Sequence, residues 1–121
     1  MQELKRTETK LSIGIRLDYL INACFVLEGI IHNNGIAVLE RIEVAEQHRR
    51  NRIGSNGYLK FEKEAIEQGS KILCCKTEKG DMPISNFLLK NGFKRTKDEQ
   101  ILNAVRAWKG FELGWVKRFN D

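Results

Sequence analysis

Apolar positions recur along this chain with two different periods, and the switches between them mark its elements. LSIGIRLDYL, residues 11–20, alternates, so that Ile13, Ile15 and Leu17 share one face of a predicted strand. Residues 23–31, ACFVLEGII, and 36–44, IAVLERIEV, are apolar runs rich in β-forming residues, with His32-Asn33-Asn34-Gly35 between them. Asn and Gly both tolerate positive φ, so Asn34-Gly35 predicts a hairpin pairing the two runs antiparallel. A helix through residues 16–30 is the competing reading. Over residues 54–68 the period changes. Tyr58, Phe61 and Ala65, joined by Leu59 and Ile66, form a helical stripe, with Lys60, Glu62, Lys63 and Glu64 on the wet side and Gly69 as the stop. KILCCKT, residues 71–77, has the length and composition of a buried strand. Strand, helix and strand in this order imply a parallel pair joined by a right-handed crossover. Pro83 then opens a short helix, ISNFLLKN, closed by Gly92, and Phe93 starts another strand. Ile101, Val105 and Trp108 are at helical spacing and predict a helix over 99–109. LGWVKRF suits a last strand, expected beside residues 71–77. Residues 1–10 are polar and predicted to fray.

Placed on these elements, two features carry chemistry. The first is the stretch VAEQHRRNRIGSNG, residues 44–57, where a strand ends in arginines and a Gly just as a helix begins. A helix start has unpartnered N–H groups and a partial positive charge, so arginines and Gly54 there make a seat for phosphate or pyrophosphate. An exposed basic turn is the plain alternative. Gly57, costly inside a helix, predicts something close against the backbone. The second feature is Glu40. Strict alternation puts it on a face with Val38, Ile42 and Val44, where a carboxylate either pairs with a neighbouring base or serves as a general base.

Composition narrows the setting. At 121 residues with 41% hydrophobic and 31% charged residues, the chain is read as one globular domain, 1–121. No run approaches the ~18 apolar residues of a membrane span, and residues 1–10 lack the apolar centre of a signal peptide. No membrane partner and a cytoplasmic location are therefore expected. Three cysteines, with no C-x-x-C or His cluster, predict free thiols and no metal site. A net charge of +5 favours an anionic ligand, a phosphorylated cofactor or nucleic acid.

The order strand, arginine–Gly loop, helix, buried strand, short helix and Gly-Phe resembles the GNAT superfamily of acyl-CoA-dependent N-acyltransferases. The likeness runs from about Ile36 to Phe93. Its carriers are Arg49-Arg50-Asn51-Arg52-Ile53-Gly54, like the family's pyrophosphate loop, and Phe87-Leu88-Leu89-Lys90-Asn91-Gly92-Phe93, like its later motif. The resemblance implies an α/β (α+β) fold, a mixed, mostly antiparallel sheet flanked by helices with a parallel pair around the cofactor cleft. It also implies acetyl-CoA (CoA) as cofactor and direct transfer of its acetyl group to a primary amine in a ternary complex. The amides of Arg49, Arg50, Asn51, Arg52, Ile53 and Gly54 would hold the pyrophosphate, with Ser55 and Lys90 beside them. Backbone groups near Glu43 and Val44 would orient the pantetheine arm, and Glu40 or a water it holds would deprotonate the acceptor.

The chain departs from the family pattern in places. Arg52 stands at the loop's earlier Gly, Leu88 where a Tyr often acts as general acid, and Asp81 where an Asn is common. Little room exists between Leu17 and Ala23 for the two helices that usually shape the acceptor side, so a shallow pocket or one completed in a homodimer is expected. The class of amine is left open. Two other readings stand beside this one: a CoA-binding domain without catalysis, and a nucleic-acid-binding module using His48-Arg49-Arg50-Asn51-Arg52. Nucleic acid is the less favoured, because no aromatics interleave the basic run to stack on bases.

Overall fold

The computed structural model describes residues 3–49, 52–107 and 112–119. Its centre is one seven-stranded sheet with strand order β1-β2-β3-β4-β5-β7-β6. The strands are β1 (Lys5–Leu11), β2 (Gly14–Ile21), β3 (Phe25–His32), β4 (Ile36–Val44), β5 (Ile72–Glu78), β6 (Lys94–Thr96) and β7 (Glu112–Arg118). Among the described residues three α-helices complete it, α1 (Ile53–Glu67), α2 (Met82–Lys90) and α3 (Glu99–Ala104), with a single 3-10 turn at Glu46–His48. The mostly antiparallel sheet with one parallel pair, β4 with β5, is the expected architecture, and β7 enters beside β5 as expected. The alternative helix over 16–30 does not form; β2 and β3 pair there instead.

One face of the sheet carries the larger core. Leu17, Tyr19, Phe25, Leu27, Ala37, Leu39, Leu73 and Trp115 meet Tyr58, Phe61 and Ala65 of α1 and Leu88 of α2. On the other face Ile36, Val38, Cys74 and Val116 pack with Ile101 of α3 and with Val105 just after it. Gly57 has its reason here. A Cβ on it would sit 2.3 Å from the Phe25 ring, so α1 lies down on β3 only because that side chain is absent. Leu59 and Ile66 do not join the stripe as expected; they are 49% and 45% exposed on the outer side of α1. A helix has a single core-facing arc, and Tyr58, Phe61 and Ala65 fill it.

The expectation of a frayed start is corrected. Residues 5–11 form the edge strand β1, paired with β2 from Lys5↔Leu20 to Leu11↔Gly14. All its side chains are exposed, so no apolar alternation announces it. Backbone pairing holds it, and so does Arg6, whose Nε donates to Glu64 of α1 at 2.9 Å. Glu64 also accepts from the hydroxyl of buried Tyr19. The helix predicted over 99–109 is shorter, Glu99–Ala104, and Trp108 lies outside the described residues.

Candidate functional site

The site is set by an irregularity in β4. Glu28 pairs with Arg41 and Gly29 with Leu39, so Glu40 opposes nothing and is the extra residue of a β-bulge. A bulge shifts the side-chain phase. Leu39, Ile42 and Val44 face the larger core, whereas Val38 belongs to the opposite cluster. The expectation that Glu40 shares a face with Ile42 and Val44 is therefore corrected, because strict alternation fails at the bulge. Glu40 is exposed and ion-paired, its Oε1 3.1 Å from Arg16 Nη1.

The bulge coincides with the parting of two strands. Pairing of β4 with β5 ends at Leu39↔Cys75, although β4 runs on to Val44 and β5 to Glu78. Beyond that point the β4 edge pairs with no strand among the described residues, while β5 stays paired with β7 on its far side.

Above the end of β4 sits the start of α1. Its N-cap, Arg52, has φ 60° and ψ 16° and makes no side-chain capping bond. The first helical bond runs from Asn56 N–H to Arg52 O, which leaves the amides of Ile53, Gly54 and Ser55 without an acceptor among the described residues. The other two helices are capped. Asp81 accepts from Ile84 N–H at 3.3 Å, and Asp98 accepts from Gln100 N–H at 2.9 Å. An uncapped helix start next to arginines combines a dipole and free donors that favour an anion.

These parts open onto a cleft of about 850 Å³. Its walls include Ile42, Glu43, Val44, Arg49, Arg52, Gly54 and Ser55, together with Pro83, Ile84 and Phe87 of α2. Glu43 is ion-paired to Arg41, with 2.7 Å between their charged atoms. Arg49 Nε donates to Val44 O at 3.1 Å. Ile53 packs on the core, leaving its amide as its contribution. Arg50 and Asn51 lie outside the described residues. Lys90 is exposed at the far end of α2 and does not line the cleft.

Sequence reasoning did not anticipate Pro83, Ile84 and Phe87, nor the β2–β3 turn, Ile21 to Phe25, as cleft walls. They reach it because the sheet and α2 assemble around the start of α1, and which side chains then face the cleft is not written in any one segment. Leu88, weighed as the general-acid position, is fully buried in the core. The cleft-facing side chains of α2 are apolar and carry no transferable proton.

No protein-family profile and no curated protein matches the chain. Solved structures do. A GNAT-family acetyltransferase from Staphylococcus aureus Mu50 superposes with TM-score 0.74 at 16% identity, over 88% of this chain and 69% of that one. A Klebsiella pneumoniae protein assigned as an acyl-CoA N-acyltransferase gives TM-score 0.74 at 12% identity, over 97% and 98% of the two chains. The PaiA N-acetyltransferase of Thermoplasma acidophilum, solved in complex with coenzyme A, gives 0.68 at 20% identity, and this chain spans 60% of its length. The chain has the fold of the GNAT acetyltransferases.

Proposed function

We propose that this protein is an N-acetyltransferase that binds acetyl-CoA and transfers its acetyl group to a primary amine in a ternary complex. The observation that carries the reading is the uncapped start of α1, flanked by Arg49 and Arg52 and opening on the cleft beside the β4 edge left unpaired among the described residues. The fit to the cofactor is favourable on three counts: orphan amides for phosphate, a strand edge for an amide-bearing arm, and apolar walls. The amides of Ile53, Gly54 and Ser55, with Arg49 and Arg52, would hold the phosphates. The β4 edge from Glu43 to Val44 would hydrogen-bond the pantetheine arm. Acetyl-CoA supplies an activated acyl thioester. The chain's own part is to align that group with the amine, and proximity of this kind does much of the catalysis.

Glu40 is the proton acceptor in this reading. The bulge turns it to the sheet face away from α1, at the point where β4 and β5 part, so the amine would approach from that face. The only ion-pair partner of Glu40 among the described residues is Arg16, 3.1 Å away, and one carboxylate oxygen is left for the amine. A second reading, cofactor binding without turnover, is favoured by one observation: Pro83, Ile84 and Phe87 offer no acid to the departing thiolate. The test is a thermal melt followed by a thiol-release assay across an amine library. At ~100 times Kd the linkage gain is about 2.7 kcal/mol, several degrees for a domain of this size. No shift with millimolar acetyl-CoA would overturn both readings, and a shift with no thiol release across the library would leave the second.

A further inference from the structure

The sheet ends in two different edges. On one side β6 is three residues long, with Lys94 and Arg95 in it and Lys97 just after it. A short edge of one charge sign is a poor template for a further strand. On the other side β1 runs for seven residues without a proline, and its register with β2 is unbroken from end to end. Among the described residues β1 pairs with β2 alone, and its backbone bonds to no other segment. Alternate residues of β1 therefore hold N–H and C=O groups outward without a partner in the described chain.

The charges on this edge decide what can add to it. Every side chain of β1 is exposed: Lys5, Arg6 and Lys10 are positive, Glu8 is negative, and Thr7, Thr9 and Leu11 are neutral. Against β6 such a strand meets mostly like charge. Against a second β1 the outcome depends on register. Two antiparallel copies related by a two-fold axis place residues of the same face opposite one another, so one residue lies on the axis and meets its own twin. With Glu8 on the axis, Glu8 meets Glu8 and Arg6 meets Lys10, which is repulsive. With Thr7 on the axis, Arg6 of each copy faces Glu8 of the other, Thr7 faces Thr7, and Lys5 faces Thr9. An axis at Thr9 matches Glu8 with Lys10 but runs out of strand at the Ser12-Ile13 turn, whereas the Thr7 register leaves Leu4 and Glu3 to extend the pairing. Within the chain, Arg6 Nη2 donates to Glu8 at 2.8 Å and Nε to Glu64 at 2.9 Å, so the guanidinium is held at this edge before a second copy arrives.

We propose that β1 is a docking edge for a second copy of this chain, joined antiparallel about Thr7 into one sheet continuous across both. The two-fold uses up the edge of each copy, so the assembly closes at two. Strand β1 lies three places from β4, so the pairing leaves the cleft open in both copies and stands apart from the acetyl-CoA reading.

One strand edge is a small interface, so a weak dimer is expected. Sedimentation from micromolar to submillimolar concentration should show monomer passing into dimer. Glu8→Lys sets like charges opposite at both ion pairs and should weaken the dimer about tenfold, less so at high salt. Cysteines at exposed positions of β1 read the register while keeping the fold. In a Cys24→Ser background the remaining thiols, Cys74 and Cys75, are buried. Residues directly opposite in an antiparallel pair have Cα atoms about 4.5–5.5 Å apart, within disulfide range. Oxidised glutathione should therefore link Thr7→Cys chains. Thr9→Cys should stay unlinked, because its twin is displaced four residues along the strands, about 13 Å. A chain monomeric at submillimolar concentration, a dimer indifferent to Glu8→Lys, or Thr9→Cys linking as fast as Thr7→Cys would overturn the proposal.

Discussion

A Cβ added to Gly54 would lie 2.9 Å from Cγ2 of Val44, closer than side chains pack, so the first turn of α1 rests directly on the last residue of β4. Gly54 is thus required by the protein's own packing, before any ligand is considered. Gly54→Ala gains about 1 kcal/mol of helix propensity but loses about 1–3 kcal/mol to overpacking against a stiff β-branched neighbour. A net loss is expected in chemical denaturation. Val44→Ala added to it should recover part of that loss, a coupling that a double-mutant cycle reads directly. Independent, additive effects would mean the helix start can shift away from β4.

Arg52 holds a left-handed conformation, φ 60°, which costs a side-chain-bearing residue roughly 1 kcal/mol. Arg52→Gly relieves that strain but frees the unfolded chain, two effects of similar size, so stability should change by less than about 0.5 kcal/mol. Arg52→Ala keeps the strain and should be the less stable of the two. If the guanidinium meets phosphate, both variants lose about tenfold in acetyl-CoA affinity, and the remaining affinity depends less on salt. Tighter binding by Arg52→Gly would show instead that the side chain crowds the loop.

Glu40→Gln tests the proton acceptor. It keeps size and hydrogen bonding with Arg16 but removes basicity. Turnover near pH 7 should fall by about 10²-fold, the lower end for loss of a general base, with cofactor affinity unchanged. Because an amine like that of lysine loses its proton near 10.4, raising the pH should recover part of the rate. Full turnover at every pH would leave Glu40 as a partner of Arg16 and nothing more.

Glu64 and Arg6 should differ although they are paired. Glu64→Ala leaves the hydroxyl of buried Tyr19 without its acceptor, a loss of about 1–3 kcal/mol. Arg6 has a side chain 40% exposed, so solvent and salt screen its contact, and Arg6→Ala should cost about 1 kcal/mol or less. Urea midpoints of the two variants separate these values, and a larger loss from Arg6→Ala would assign the anchoring of β1 to the ion pair.

Burial of Cys74 and Cys75 has a consequence in alkali. Both thiols are pushed up to about 12, so the folded state keeps protons that the unfolded chain releases from about pH 8.5. Their contribution to stability is complete below that pH and is lost as pH rises toward 12. Cys74→Ala should flatten the alkaline fall in melting temperature, and an unchanged slope would place the cause elsewhere.

Much of this arrangement is legible in the chain itself. The Asn34-Gly35 hairpin, the Tyr58–Phe61–Ala65 stripe, the Pro83 helix start and the arginine–Gly loop are local signals, set by backbone preference and by period. They suffice for the order of elements and for a helix start bearing arginines. Strand β1 escaped because pairing, not apolar alternation, holds it, and pairing partners are chosen at long range.

The tertiary structure decided the rest. Alternation is a rule of regular strands, and the bulge at Glu40 breaks it, turning Ile42 and Val44 into the cleft and Glu40 out of it. No residue in IAVLERIEV announces that bulge; it shows only in the register of β4 against β3, next to the point where β4 and β5 part. Leu88 and Phe87 make the same point on α2: adjacent in sequence, one is sealed in the core and the other lines the cleft. Sequence alone determined that a helix of this protein begins among arginines and beside a glycine. Which surfaces face it was settled only when the sheet was assembled, because burial is a property of packed elements and not of any one stretch.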